Sequence, residues 1–306
     1  MLSISTSWNH QPDTDMRAWL KQIREIGLDT IELGYTLTQA QVDQIVPALK
    51  DLGVKVSSIH NFCPVPSDEP SPRHPSNYYR LSSLDAHERD KAVEWTCRTV
   101  DLAKRVGAGI VVIHAGTLDL NPDPSREMIA LYKQEKTADP RFAQAREELT
   151  ALRAKTRQPY LDALHQSLQA VMDYAERHTI KVGLETRYYP IEIPNFEEIK
   201  LFLDAFAKQG MVYWHDVGHA EVNERLGLRH HADFLETYKD HLRGVHLHGV
   251  RVLRDHLAPF DGDMDLEKYL PYFKKKDCLR VIEARYADLD QIKNGIGKLK
   301  KFFSES

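Results

Sequence analysis

The sequence predicts an α/β protein, a single-domain (β/α)8 TIM barrel, and three observations predict it. Short apolar, β-branched runs recur eight times, stretches with helical start and stop signals lie between them, and 306 residues is a length that such a barrel uses for one domain. Strands that alternate with helices form a parallel sheet, since each crossover brings the chain back to the same end. Eight such units close most naturally into a barrel, with a doubly wound open sheet as the alternative.

The strands are read at "LSISTS" (2–7), "DTIELG" (29–34), "KVSSIH" (55–60), "GIVVIH" (109–114), "KVGLET" (181–186), "MVYWHD" (211–216), "GVHLHG" (244–249) and "LRVIEA" (279–284). Helices with legible ends lie between them. "TQAQVDQIVPALKDLG" sets Thr38 and Gln41 at capping-box spacing and stops at Gly53. The same reading pairs Asp85 with Glu88 before Gly107, and Asn195 with Glu198 before Gly210. Residues 63–84, rich in proline and serine, are too long for a turn and read either as a lid, with Tyr78 and Tyr79 near its end, or as a tolerated surface insertion. Residues 117–158 carry "REMIALYKQEK" and "PRFAQAREELTALRAKTRQP", a helical excursion on the catalytic rim of one domain spanning 1–306.

With 41 basic and 45 acidic residues the net charge is −4, so nothing in the total draws the chain to a nucleic-acid backbone. "MLSISTSWNH" lacks a basic region followed by an apolar run, and no stretch reaches the length of a membrane span. A cytoplasmic location without membrane contact is therefore expected. Cys63, Cys97 and Cys278 are far apart and odd in number, which fits reduced thiols better than a disulfide or a thiolate zinc site.

Barrel chemistry collects at the carboxyl ends of the strands. Five runs end at or near a metal-ligand type: His60, His114, Glu185, Asp216 and Glu283. Alternation places His246 and His248 on one face. It also aligns Val212, Trp214 and Asp216, and sends His215 toward the helices. Singly, each of these is an ordinary hydrogen-bonded rim residue. Together, Glu185, Asp216 and Glu283 at one mouth would repel by roughly 4 kcal/mol per pair at about 4 Å and an effective dielectric of about 20. Protons or a cation must neutralise them. With His246 as nitrogen donor the set suits one divalent ion, Mn2+, Co2+ or Mg2+, and Zn2+ accepts the same donors. Around it, Arg187, Arg251 and Arg285 offer forks for substrate oxygens or for salt bridges at the rim, and Glu32 could orient a histidine or touch substrate. Trp8 could wall a sugar face, and Tyr188 and Tyr189 could cover the mouth.

Seven motifs, "SSIHNF", "VVIHAGT", "GLETR", "WHDVGHA", "VHLHG", "DHLAPFDGDMD" and "VIEAR", follow one another in order. On them, and over nearly its whole length, the chain resembles the xylose-isomerase-like barrel superfamily of sugar phosphate isomerases and epimerases, which also holds the type-IV apurinic endonucleases. The resemblance implies a metal on Glu185, Asp216, His246 and Glu283, with Glu185 and Glu283 as the acid–base pair. It implies His219 on substrate or a further ion, and a second metal among His60, His114, His219 and His256. The implied activity is a divalent-metal-dependent isomerase or epimerase of a sugar, sugar phosphate or keto sugar, working through an enediolate. A lyase or dehydratase on a keto sugar is the first alternative, and a metal-dependent endonuclease or phosphodiesterase the second. A dimer or tetramer is also implied. One departure stands out: the endonucleases carry an Asp two residues before the His after the seventh strand, where this chain has Arg254. Asp255 is adjacent to His256 instead, which argues against a trinuclear cluster.

Overall fold

A computed structural model of the chain describes residues 1–68, 71 and 73–304. The eight runs form β1 (Leu2–Ser5), β2 (Thr30–Leu33), β3 (Lys55–His60), β4 (Ile110–Ile113), β5 (Lys181–Glu185), β6 (Met211–Asp216), β7 (Leu242–Leu247) and β8 (Leu279–Ile282). They close in the order β1-β8-β7-β6-β5-β4-β3-β2 with every neighbour parallel, which rules out the open sheet. The closing pair joins Leu2 to Arg280, a contact across the whole chain that no local pattern encodes.

Around the barrel lie α1 (Met16–Glu25), α2 (Gln39–Leu52), α3 (Ala86–Val106), α4 (Ser125–Lys133), α5 (Pro140–Thr156), α6 (Gln158–Arg177), α7 (Phe196–Phe206), α8 (Val217–Arg225), α9 (His231–Tyr238) and α10 (Leu289–Ser304). Among the described residues, no helix is long and apolar enough to cross a membrane. The expected capping boxes form at Thr38/Gln41 and Asn195/Glu198, and Gly53 ends α2 in the left-handed conformation. Losing such a cap costs about 1 kcal/mol.

Alternation fills the barrel from within. Ile110, Val112, Val212, Trp214 and Val281 form a separate interior cluster, and Trp214 is fully buried in it. A Cβ on Gly244 would lie 2.1 Å from the Trp214 ring, so the neighbouring strand needs glycine there. Trp214 floors the site above, its ring centroid 5.2 Å from that of His246. His215 faces the helices, with Nδ1 2.7 Å from the Tyr213 hydroxyl and Nε2 2.9 Å from His231 Nε2.

The cap of α3 departs from expectation. Asp85 accepts the His87 N–H, but Glu88 does not reach back to it. Its carboxylate instead accepts from the Arg80 backbone at 3.0 Å, Arg80 Nε at 3.1 Å and Ser83 Oγ at 2.8 Å. A guanidinium outcompetes a backbone N–H for an ionised oxygen, so the residue clamps the end of segment 63–84. Burial pushes the Glu88 carboxyl up, but Arg80 and Ser83 bring it down to about 2. A folded-state value below the ordinary 4.5 adds stability above that pH and loses it as pH falls through about 2. Urea titrations should therefore find a stability gap between the wild type and Glu88→Gln that is constant above pH 4.5 and closes toward pH 2. A gap independent of pH would contradict this.

The excursion at 117–158 packs onto the barrel mouth. Met128, Leu131, Phe142, Ala145 and Leu149 share a core with Val222, Leu226 and Leu253. From α5, the buried Arg153 donates to Glu198 at 2.5 Å and to Pro190 O at 2.9 Å. Removing Glu198 would strand a buried charge, at a cost of about 3–5 kcal/mol. Cys63, Cys97 and Cys278 are free thiols. Of the expected lid, residues 69, 70 and 72 lie outside the described residues, and Pro75–Asn77 forms a short 3-10 turn.

Candidate metal centre

The strand ends bring Glu185, Asp216, His246 and Glu283 together, one donor atom from each within 4.8 Å of the others, all four buried. Register explains the grouping. Asp216 is the cross-strand partner of His246, Val281 is its partner on the other side, and Glu283 lies two residues on, on the same face.

His246 Nδ1 lies 2.7 Å from Glu185 Oε1, 3.2 Å from Glu283 Oε2 and 3.6 Å from Asp216 Oδ2. Its other nitrogen, Nε2, lies 3.1 Å from Glu32 Oε1, and Ser58 Oγ donates to Glu32 Oε2 at 2.7 Å. Glu32 thus holds the imidazole with Nδ1 toward the carboxylates, the arrangement that orients a metal-bound histidine. Asp216 also caps α8. Its Oδ1 accepts the His219 N–H at 2.8 Å, His248 Nε2 lies 3.0 Å from Oδ1 and 3.2 Å from Oδ2, and Oδ2 faces His246 Nδ1 at 3.6 Å. The His256 N–H, 3.0 Å from His248 Nδ1, fixes that ring, and a Cβ on Gly218 would meet His248 Cε1 at 2.1 Å. Glycine in "HDVGH" therefore keeps room for the ring that orients Asp216.

Charge points the same way. Burial pushes the Glu185 and Asp216 carboxyls up, yet His114 and His246 around the first, and His219 and His248 around the second, hold both well below the carboxylate range. Burial pushes His246 down, but Glu32, Glu283 and Glu185 raise it well above its ordinary value. A proton on His246 thus partly offsets charge that a divalent cation would neutralise more fully.

Two further donor sets flank the first. His60 Nε2 and His114 Nε2 lie 3.2 and 2.6 Å from Glu185 Oε2. The 2.6 Å contact lacks hydrogen-bond alignment, and both His114 ring nitrogens are buried without a hydrogen-bond partner. Nitrogen and oxygen converge on a common point, as ligands of one ion do. On the other side, Asp255 Oδ2 lies 3.6 Å from His219 Nε2 and 3.5 Å from His256 Nε2. His60, His219 and His256 each place Nδ1 at 3.0, 2.8 and 2.9 Å from the carbonyls of Asn61, Thr186 and Glu283. A carbonyl can only accept, so Nδ1 carries the hydrogen and Nε2 presents a lone pair to its set. All three groups fit divalent cations.

The third group gathers although Asp255 is adjacent to His256. His256 has φ 54°, which breaks strand alternation and lets Asp255 and His256 reach the same side despite being adjacent. Replacing Glu32 by Gln is expected to weaken metal binding about 10–100-fold, since it loosens the His246 ring. Competition between the metal-free protein and a chelator measures this; unchanged affinity would remove the orienting role.

Above the ligands opens a cavity of about 680 Å3. Tyr35, Tyr188 and Tyr189 line it, the 63–84 segment adds His74, Ser76 and Asn77, and α4 adds Lys133. His219 and Arg187 border it as well, but the Arg187 fork is already engaged, 2.5 Å from Glu192 and 3.4 Å from Glu185. Three expected substrate contacts lie elsewhere. Trp8 is 1% exposed, its indole donates to Ala287 O at 3.0 Å, and it belongs to the core. Glu32 sits beneath His246, and Arg251 is exposed in the hairpin of Gly249–Arg251 with Arg254–Leu257. Sequence reasoning missed Tyr35, His74 and Lys133, whose only signal is their position on segments that follow strand ends.

The sequence profile of the xylose isomerase-like TIM barrel family matches residues 20–302. The chain belongs to this family. Solved structures share the family fold along almost their full length. A D-tagatose 3-epimerase-like protein aligns with TM-score 0.68 at 15% identity, covering 99% of this chain and 98% of that one. The 3-keto-D-glucoside 4-epimerase YcjR from E. coli aligns with TM-score 0.68 at 14% identity, covering 98% of each chain. D-psicose 3-epimerase from Clostridium cellulolyticum H10 aligns with TM-score 0.63 at 13% identity, covering 99% of this chain and 98% of that one. No curated protein sequence is significantly similar to the chain.

Proposed function

We propose that the chain is a divalent-metal-dependent sugar isomerase or epimerase that moves a proton at the carbon next to a carbonyl. The carrying observation is the unequal engagement of two glutamates that share His246. Glu185 spends Oε1 on His246 and Oε2 on His60, His114 and Arg187. Glu283 lines the cavity, and among the described residues its carboxylate makes no hydrogen bond beyond its approach to His246 at 3.2 Å.

Burial would raise the Glu283 carboxyl, but His246, His256 and His60 lower it, so it is ionised at neutral pH and ready to accept a proton. Glu283 removes the proton from carbon, and Glu185 or a water beside it returns one. Return to the opposite face epimerises, return to the neighbouring carbon isomerises, and loss of a β-hydroxyl instead gives the lyase alternative. Glu185, Asp216, His246 and Glu283 would hold a divalent ion, which when bound would supply Lewis-acid stabilisation of developing negative charge on the substrate. Tyr35, Tyr188 and Tyr189 narrow the mouth and limit water around the reacting carbon. Glu32, His248 and Gly218 keep His246 and Asp216 in place. The similarity in fold to ketose epimerases agrees with this chemistry.

Incubating metal-loaded protein with a panel of ketoses and aldoses tests the reading. A product of unchanged mass supports it, loss of water supports the lyase, and an unchanged panel counts against both. The two flanking donor sets favour a second reading, a metal-dependent phosphodiesterase in which several ions activate water and clamp phosphate. Elemental analysis separates the two. One Mn or Co per chain accords with the isomerase, and two or three Zn or Fe per chain accord with the hydrolase.

A further inference from the structure

Among the described residues four tyrosines line the cavity, and their hydroxyls are not equivalent. Tyr188 spends its hydrogen on Leu253 O at 2.5 Å, and Tyr189 and Tyr286 are exposed to solvent. Tyr35 is 4% exposed. Its hydroxyl accepts from Arg285 Nη2, and a guanidinium can only donate, so the direction of that bond is fixed. The phenol hydrogen is left over, and among the described residues it finds no acceptor.

The ring that carries this hydroxyl is held in place. Tyr35 lies two residues after β2, and its ring meets His60 edge-on with centroids 4.8 Å apart and His74 with centroids 5.5 Å apart. Arg285 is not a free cation, because Glu283 and Asp255 both act on it. The pair thus presents a neutral donor backed by a compensated charge. Arg285 also lies two residues beyond Glu283, which puts the phenol on the side of the cavity from which the proposed base works.

A buried donor without an acceptor costs free energy, and a site tolerates one where a ligand supplies the acceptor. Removing a proton from carbon sends the electron pair of the C–H bond toward the neighbouring carbonyl oxygen, which gains the negative charge of an enediolate. A fixed donor at that oxygen stabilises the charged species more than the starting ketone, since hydrogen bonds to charged acceptors are the stronger ones. A phenol, with an ordinary pKa of about 10, does so at neutral pH without losing its own proton. The guanidinium behind it polarises the O–H further.

We infer that Tyr35 is a catalytic residue whose hydroxyl donates a hydrogen bond to the substrate oxygen that gains negative charge, with Arg285 as the positioning residue behind it. The inference rests on the reading of the site as a sugar isomerase or epimerase and adds a donor that acts in the same step. Glu283 holds the proton taken from carbon, and Tyr35 keeps its own throughout.

Calorimetric titration of the metal-loaded protein with glycolohydroxamate, a planar analogue of an enediolate, tests the donor directly. Tyr35→Phe is expected to bind it about 10–100-fold more weakly than the wild type, the range of one hydrogen bond to a charged acceptor. Elemental analysis and far-UV circular dichroism should show metal content and fold unchanged in the variant. Arg285→Met should weaken binding as well, and the double variant no further than Tyr35→Phe alone, because the arginine acts through the phenol. On a sugar that turns over, Tyr35→Phe should lower kcat about 10²–10³-fold with KM little changed. Equal affinity in Tyr35→Phe, additive losses in the double variant, or no binding by the wild type overturns the inference. Solvent-deuterium exchange into a sugar alongside equal affinity would remove the donor and leave the isomerase reading standing. Weaker binding in Tyr35→Phe without exchange in any sugar would sustain the donor and count against that reading.

Discussion

Replacing Glu283 by Gln is expected to lower turnover about 10²–10⁴-fold while bound metal is retained, the range that a positioned general base contributes. The amide keeps one oxygen for an ion and the shape of the side chain, but cannot accept a proton from carbon. Glu185→Gln should lose turnover as well, for a different reason. Both Glu185 oxygens serve donor sets, one toward His246 and one toward His60 and His114, so its substitution should also lower metal content. Steady-state rates alongside elemental analysis of the two variants separate these effects. Near-normal turnover in Glu283→Gln with metal bound would remove the acid–base assignment.

Stripping the metal is the second large effect. Glu185 and Asp216 are held well below the ordinary carboxylate range, so an empty site stays charged at neutral pH and its carboxylates repel. An ion present at about 1,000 times its dissociation constant stabilises the fold by about 4 kcal/mol. With an unfolding entropy of about 2.1 cal/mol/K per residue over 306 residues, that corresponds to a rise in Tm of roughly 6 °C. Scanning calorimetry should find the Tm lowered after chelation and restored by Mn2+ or Zn2+. An unchanged Tm would contradict the central donor set of Glu185, Asp216, His246 and Glu283 as a metal site.

What the sequence conveys about this site depends on how local each cause is. Period-two alternation and strand-end position are local, and they suffice to gather Glu185, Asp216, His246 and Glu283 on one mouth and to turn His215 outward. The capping boxes at Thr38 and Asn195 are equally local. Glu88 sits at the same spacing from Asp85, yet Arg80, eight positions earlier, takes its carboxylate, and spacing alone does not reveal a competitor. Asp255 stands one residue before His256 where the endonuclease spacing is two, yet the left-handed backbone at His256 lets both reach one donor set. Arg187 illustrates a third kind of loss. After β5 the sequence leaves Arg187 open between a substrate fork and a salt bridge, and the turn that delivers Glu192 to it is what decides for the salt bridge. Trp8 reads as a rim aromatic from its place after β1, whereas its core packing and the indole's bond to the distant Ala287 carbonyl come from residues far along the chain. Barrel closure itself rests on the pairing of β1 with β8, the least local contact in the fold.

The account centres on proton removal from a sugar carbon next to a carbonyl by Glu283. The most direct measurement is solvent-deuterium incorporation, followed by NMR, when metal-loaded protein is incubated in D2O with the panel of ketoses and aldoses. The account predicts deuterium at the carbon adjacent to the carbonyl, together with a product isomeric with the starting sugar, and loss of both signals in Glu283→Gln. Contradiction would come from the absence of exchange in every sugar while the same preparation hydrolyses a phosphodiester.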